Sequence, residues 1–492
     1  MISNLRIAPP VQPTSSRWLS LLVLCAGFLM IVLDQTIVNV ALPSIQRDLG
    51  FAQSSLAWVV NAYLIAYGGL MLLAGRLGDL IGRKRVFLGG LALFTAASLL
   101  CGAAVSQPML VAARFVQGVG GAASSAVILG MIVTLFPEPA ERARAIGVFS
   151  FVAASGGAIG LLAGGLLTQA LNWHWIFFVN LPIGVATAVL AARLLASDRG
   201  IGLGAGADVV GACLVTAALM LGVYTIVTSG PSGLGSPHTL GYGAVAILLF
   251  AAFVLRQATA RTPLLPLRLF RSRNVTGANV IQACMVAAMF GFFFLGSLDL
   301  ERVQRYGPLA IGLAFLPVTL GMGSLSIGAS ARLITRFGAR RVLLTGLAVM
   351  AVGLVLLARG PLHSEYVRDL LLLMVLLGVG GGLSFPALTM LAMSDATPSD
   401  AGLASGLLNT TTQVGGALGL AVLATLATTR TGQLLGQGQS PAAALSGGYH
   451  LAWAIGAGLV VATIVLAATV LTSGLPAEAE SALDEEEEEA SA

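Results

Sequence analysis

The sequence predicts an all-α integral membrane fold of fourteen transmembrane helices, two six-helix halves related by a repeat with two spans inserted between them. Three observations lead there. Charged residues make up 10% and hydrophobic residues 57% of the 492 positions, with a mean hydropathy of +0.92. A soluble domain averages about a quarter charged residues. Such a chain cannot cover itself with polar surface, so its solvent is lipid. Apolar runs near the roughly 20 residues that cross a bilayer follow one another along the sequence. Finally, the second part of the chain echoes the first at a nearly fixed offset.

The apolar runs cover residues 18–42, 56–75, 86–105, 108–135, 144–170, 175–196, 208–228, 240–255, 275–298, 309–331, 341–358, 368–393, 402–427 and 449–472. Gly and Pro within them do not argue against helix, because membrane helices tolerate both. The first run is too long for a signal sequence and lacks a small-residue cleavage site after it, so it reads as the first span.

The repeat pairs Gly75-Arg-Leu-Gly-Asp-Leu-Ile-Gly-Arg-Lys-Arg-Val86 with Ala331-Arg-Leu-Ile-Thr-Arg-Phe-Gly-Ala-Arg-Arg-Val342, an offset of 256. Gln117–Gly121 pairs with Leu377–Gly381 at 260, and Gly156–Gly160 with Gly415–Gly419 at 259. This defines an N-terminal half over 18–197, two inserted spans over 208–256, a basic linker over 257–273 and a C-terminal half over 274–473. Residues 1–17 form a short polar start, and 474–492 an acidic tail that reads as solvated. Parallel repeats of this kind occur in transporters whose substrate site lies between the halves.

Lys and Arg give the orientation. With an even number of spans both termini share one side, and the loops of that side carry 19 Lys and Arg against six on the other. Both termini are therefore expected in the cytoplasm, in a multi-pass protein of the cell membrane. The net charge of +5 is no nucleic-acid signal, because the basic residues fall between apolar runs. Cys25, Cys101, Cys213 and Cys284 lie inside those runs at wide spacings, which suits neither a disulfide framework nor a metal site. No phosphate-binding loop, metal-ligand cluster or nucleophile constellation is present. The expectation is a non-enzyme without a cofactor, driven by an ion gradient.

Several motifs carry a family resemblance. Gly75-x-Leu77-Gly78-Asp79-x-x-Gly82-Arg83-Lys84-Arg85 resembles the loop 2–3 motif of the major facilitator superfamily, with Leu80 where that motif has Arg. Arg114-x-x-Gln117-Gly118-x-Gly120-x-Ala122 resembles its span 4 motif. Leu33-Asp34-x-Thr36-Ile37-Val38-Asn39-Val40-Ala41-Leu42-Pro43, with Trp173-His-Trp-Ile-Phe-Phe-Val-Asn-Leu-Pro-Ile-Gly184 and Thr262-Pro-Leu-Leu-Pro-Leu-Arg-Leu-Phe270, is similar to the fourteen-span drug:proton antiporter branch. Gly156, Gly160, Gly164 and Gly165 match the span 5 antiporter motif, with Leu161 in place of its proline. The resemblance implies a multidrug efflux permease working by alternating access, a monomer whose partners are protons and small hydrophobic or cationic substrates. The alternatives are a proton-coupled uptake carrier of the same fold or a non-transporting receptor or channel.

Asp34 is the sharpest candidate. A carboxylate inside a span costs on the order of 3 kcal/mol on insertion scales and so faces a cavity or a partner. By helical rise, Asp34 lies roughly 12 Å and Arg114 roughly 9 Å below the outer ends of their spans, at comparable depth. Either they form a structural pair, or Asp34 exchanges a proton while Arg114 tunes it, and the resemblance favours the second. The glycines of span 5 recur every four residues and form a flat face for close helix contact. In the family fold Asp79, at the inner end of span 2, meets the N-terminus of span 13 near Ser399–Gly402, a contact worth about 0.3–1 kcal/mol when exposed. The glycines and cations around it, Gly75, Gly78, Gly82, Arg83, Lys84 and Arg85, complete this conformational switch. By analogy a substrate cavity is lined by Asp34, Gln117, Phe149, Phe293, Asp299, Glu301, Asn409 and Gln413. Carboxylates beside aromatics suit cations, although Asp299 and Glu301 also read as an ordinary helix end. The polar run Asn409–Gln413 fits interhelical hydrogen bonds equally well.

Overall fold

A computed structural model describes residues 14–471 apart from 199, 203, 205, 234 and 395–400. Among them the regular structure is helical. The N-terminal half comprises α1 (Thr14–Leu49), α2 (Trp58–Ile81), α3 (Arg83–Gly102), α4 (Gln107–Leu135), α5 (Pro139–Ala170), α6 (Trp175–Phe178) and α7 (Asn180–Leu194). The inserted pair is α8 (Val209–Ser232) and α9 (Pro237–Thr259). The C-terminal half comprises α10 (Arg273–Arg302), α11 (Pro308–Ser324), α12 (Ser330–Phe337), α13 (Ala339–Leu357), α14 (Leu371–Met393), α15 (Ala401–Gly436) and α16 (Pro441–Thr469).

Thirteen helices are long and apolar enough to cross a membrane, counting α6 with α7 as one. The predicted span 309–331 falls short of that measure. Its α11 has 17 residues and continues through a π turn at Leu325–Ala329 into α12. The sixth span divides at Val179, where Pro182 has no N–H to offer the Phe178 carbonyl.

The repeat is visible in the packing. In the first half α1 lies against α5 and α7, α3 against α4 and α7, and α2 against α4. The second half repeats these pairings as α10 with α15 and α16, α13 with α14 and α16, and α11 with α14. Across the halves α5 meets α11, α2 meets α15, and α1 meets α10. The first two seams are exchanged by the same pseudo-two-fold relation. The inserted α8 breaks that symmetry, because it packs on both α2 and α15 and covers their seam. Thr216 of α8 sits so close to Gly69 of α2 that a Cβ there would lie 2.5 Å from its hydroxyl. The hairpin is clasped at its base by buried Asp208, which accepts from Gly211 N–H, Arg256 Nε and Gln257 Nε2 at 2.8–3.0 Å.

The start of α1, the end of α2, the end of α7 and the end of α16 mark one face of the bundle, called here the terminal face. At the opposite, distal face the halves are bolted together. Ser297 Oγ donates to the Asn39 carbonyl at 2.6 Å, Arg47 pairs with Glu301 at 2.9 Å, and Leu309 N–H donates to Gln169 Oε1 at 3.2 Å. Nearby, a Cβ on Gly312 of α11 would lie 2.5 Å from the Leu161 carbonyl of α5, so the two backbones are in near contact.

Candidate functional site

Asp34 and Arg114, drawn from α1 and α4, meet in the interior of the first half. Arg114 Nη1 donates to Asp34 Oδ2 at 2.5 Å, and both side chains are essentially inaccessible, at 0% and 1% exposure. Helix α1 runs on to Leu49, fifteen residues beyond Asp34, so it extends about two turns past the expected end at Leu42. Gln117, one turn along α4 on the same face as Arg114, donates from Nε2 to Asp34 Oδ1 at 2.7 Å. Its Oε1 accepts from Arg114 at 2.6 Å. Asn180, the first residue of α7, donates to the same Asp34 Oδ1 at 3.1 Å. Ser98 of α3 sits behind the two amides, accepting from Gln117 at 2.8 Å.

The guanidinium has partners besides Asp34. Its Nε donates to the Val59 carbonyl at 2.9 Å, and its carbon lies 4.4 Å from the Tyr63 ring centroid and 5.7 Å from that of Phe177. A cation over an aromatic face in a desolvated site gains about 2 kcal/mol. Arg114 is thus held by groups that do not depend on the charge of Asp34. The carboxylate, by contrast, receives three donors, as an ionised acid in a dry interior requires. The arrangement gives the cation anchors of its own beside a carboxylate held by side-chain donors alone.

Span 5 presses on this site from outside. A Cβ on Gly156 would meet Val32, one on Gly160 would meet Thr36 and the Leu33 carbonyl, and one on Gly164 would lie 2.7 Å from the Ile37 carbonyl. The small-residue face therefore packs α5 onto the stretch of α1 that carries Asp34. Gly165 turns the other way, toward Pro308 and Leu309 of α11.

The loop 2–3 motif ties helix ends together at the terminal face. Gly82 has φ +103°, and a Cβ there would lie 2.8 Å from the Asp198 carbonyl, so glycine alone fits this tight turn. Asp198 accepts from the N–H groups of Arg83 and Lys84 at 2.6 and 3.1 Å, capping α3. Lys84 Nζ donates to the Ala192 and Leu195 carbonyls at 2.7 and 2.6 Å, capping α7. Arg83 reaches the Gly130 carbonyl at the end of α4 at 2.9 Å and Asp79 at 3.2 Å. Gly78 lets α2 approach Val127 of α4, whereas Gly75 has more room, and Arg85 is exposed. Asp79 is 46% exposed and bonded to Arg83. Of its expected partners, Ser399 and Asp400 lie outside the described residues.

The remaining cavity candidates do not gather around Asp34. Phe149 packs at a tilt against Phe28, at 4.5 Å between centroids, and Phe293 against Phe292 and Phe315, at 5.2 and 5.3 Å. Glu301 serves the distal ion pair with Arg47. Asp299, two residues from both Ser297 and Glu301, is on the opposite face of α10 and borders a small cleft with Gln304, His450 and Trp453. Gln413 is buried at the α2–α15 seam beside Gly68, and exposed Asn409 donates within its own helix, to the Ser405 carbonyl at 3.1 Å. Their neighbours Thr411 and Thr412 bond across to Asn279 and Gln282 of α10 at 2.7 and 2.8 Å, whereas Thr410 Oγ1 and Gln413 Oε1 are buried without a hydrogen-bond partner. Sequence reasoning missed Asn180 and Ser98. Asn180 stood inside the motif ending at Gly184; Ser98 gave no signal.

A fold of two repeated helical halves around buried charge is that of a membrane transporter, and the comparisons agree. The Major Facilitator Superfamily model matches residues 24–420 and 306–491, and the chain belongs to that superfamily. It is 39% identical to the puromycin resistance protein pur8 of Streptomyces alboniger, over 94% of this chain and 92% of that one. It is also 39% identical to the cephamycin export protein CmcT of Amycolatopsis lactamdurans, over 95% and 94%. The tetracenomycin C resistance and export protein of Streptomyces glaucescens shares 34% over 85% and 77%. Among solved structures, the POT family transporter PepTSo superposes with TM-score 0.68 at 15% identity, over 91% of this chain and 97% of that one. The nucleoside transporter NupG gives 0.64 at 12%, over 92% and 100%.

Proposed function

We propose that the protein exports small hydrophobic or cationic compounds of the antibiotic type in exchange for protons, by alternating access. The observation that carries this reading is the Asp34 carboxylate, wholly buried yet held beside a cation that keeps its own partners. A purely structural ion pair gains little over an apolar replacement, whereas an acid that can lose its charge without stranding Arg114 suits a proton carrier. The export and resistance functions in the relatives' names support the direction and the substrate class. With the terminal face in the cytoplasm, the distal contacts hold the two halves together on the outer side.

The test is flux in proteoliposomes with and without a pH gradient, using puromycin and a lipophilic cation as probes. Uphill export of either probe driven by inward protons is expected, together with raised resistance in a pump-deficient host. Gradient-independent leak, or uptake of a hydrophilic nutrient instead, would refute the export reading.

A further inference from the structure

Asn180 is the loose end of the buried network. Its Nδ2 donates to Asp34 at 3.1 Å and toward Ser98 at 3.5 Å, while its Oδ1 has no partner, in a side chain with 0% exposure. An unsatisfied buried acceptor is costly and asks for an explanation. The chemistry of Asp34 supplies one. A carboxylate only accepts hydrogen bonds, and its three neighbours here all donate. A protonated acid must instead donate one. Gln117 Oε1 is taken by Arg114 and Cys101, Ser98 Oγ by the two amides, and the Val59 carbonyl by Arg114. Two vacant acceptors lie on residues around Asp34, Asn180 Oδ1 and Tyr63 Oη, and of these Asn180 is the residue already hydrogen-bonded to Asp34.

We infer that Asn180 is a positioning residue that reads the charge of Asp34 by turning its amide through half a turn. With Asp34 ionised, Nδ2 faces it. When one proton passes from water to the carboxylate, Oδ1 faces it and accepts the new O–H. The terminal torsion of Asn is broad and nearly two-fold, so the turn needs no backbone movement. One amide atom is left without a partner in either setting, an acceptor before and a donor after, which keeps the two settings close in energy. The ionisable groups around Asp34 are Arg114 from α4, Tyr63 from α2 and Cys101 from α3. From α5, α6 and α7 come Gly160, Phe177 and Asn180, none of which titrates. The inference rests on Asp34 as the proton carrier.

The test is pH-difference infrared spectroscopy of the full-length protein in lipid nanodiscs, with 13C in the asparagine side-chain carbonyls. The Asp34 carboxylic band, identified by its loss in Asp34→Asn, should grow as pH falls, and one labelled amide band should shift with the same midpoint. In Asn180→Leu that shift should vanish and the acid band should move to higher frequency. Its midpoint should stay within about half a pH unit, because both forms of Asp34 lose one hydrogen bond. A midpoint raised by about one unit, a tenfold loss of acidity, with the acid band unmoved would make Asn180 a fixed donor to the carboxylate and overturn the switch. In the wild type, an Asp34 band without any labelled amide shift would overturn the switch alone. A wild type with no Asp34 band at any pH where the protein is folded would overturn the proton reading with it.

Discussion

Asp34 and Arg114 depend on each other unequally, and single substitutions should show it. Asp34→Asn leaves Arg114 with Gln117, the Val59 carbonyl and the Tyr63 ring. That variant should insert and fold but lose gradient-driven flux, and normal coupled transport in it would refute the role. Arg114→Leu strands a carboxylate with amide donors alone. Loss of one partner of a buried ion pair costs about 3–5 kcal/mol, so this variant should show a sharply reduced yield of folded protein in detergent, partly restored by Asp34→Asn in the same chain. Much of this site was legible in the sequence. A lone acid and a lone Arg inside apolar runs identify themselves by their cost, whereas Gln117 stood in the span 4 motif as a cavity residue and not as a partner of Asp34. Asn180 and Ser98 are ordinary polar residues whose placement depends on how α7 and α3 pack. No periodicity could deliver them.

The helices add a mechanical layer. The α10 helix shows two characters at its distal end, with Ser297 and Glu301 toward the first half and Asp299 away from it. The Arg47–Glu301 pair is partly exposed, and such pairs contribute up to about 1 kcal/mol. Glu301→Gln should therefore loosen the distal closure only up to about five-fold. In a background lacking the native cysteines, Ser297→Cys should react faster with an impermeant thiol reagent when Glu301→Gln is also present; an unchanged rate would remove the pair from the gate. At the other end Asp198 serves as the cap of α3. Loss of a capping side chain costs about 1 kcal/mol, so Asp198→Ala should lower the melting temperature while substrate affinity stays the same. The cations of the loop 2–3 motif were legible as a motif, but not as caps, because the helix ends they serve are distant in sequence. The span 309–331 read as one apolar run, since hydropathy does not register a π turn.

At the scale of the molecule, two seams related by pseudo-symmetry are made unlike by one hairpin. The repeat, the two halves and the insert followed from offsets and apolar runs, since burial in lipid leaves a strong compositional trace. That α8 would lie over α2 and α15, rather than over α5 and α11, had no such trace. The charge bias of 19 to six predicts that a reporter fused at Ser236 lies outside and one after Ala492 inside; any other combination rules out fourteen spans with both ends in the cytoplasm.

The network around Asp34 and Arg114 has one more property, which concerns the order in which the chain is made. Val59, Tyr63, Ser98, Arg114, Gln117, Phe177 and Asn180 all precede residue 181, so the buried charges need nothing from the second half. Chains of this size fold domain by domain from the N-terminus during synthesis. The costliest residues in the bilayer can thus be neutralised while the ribosome is still translating the inserted hairpin. A nascent chain arrested at the end of the inserted hairpin, after residue 256, should already hide a cysteine placed at Gln117 from thiol reagents, and the C-terminal half would then assemble against a finished surface.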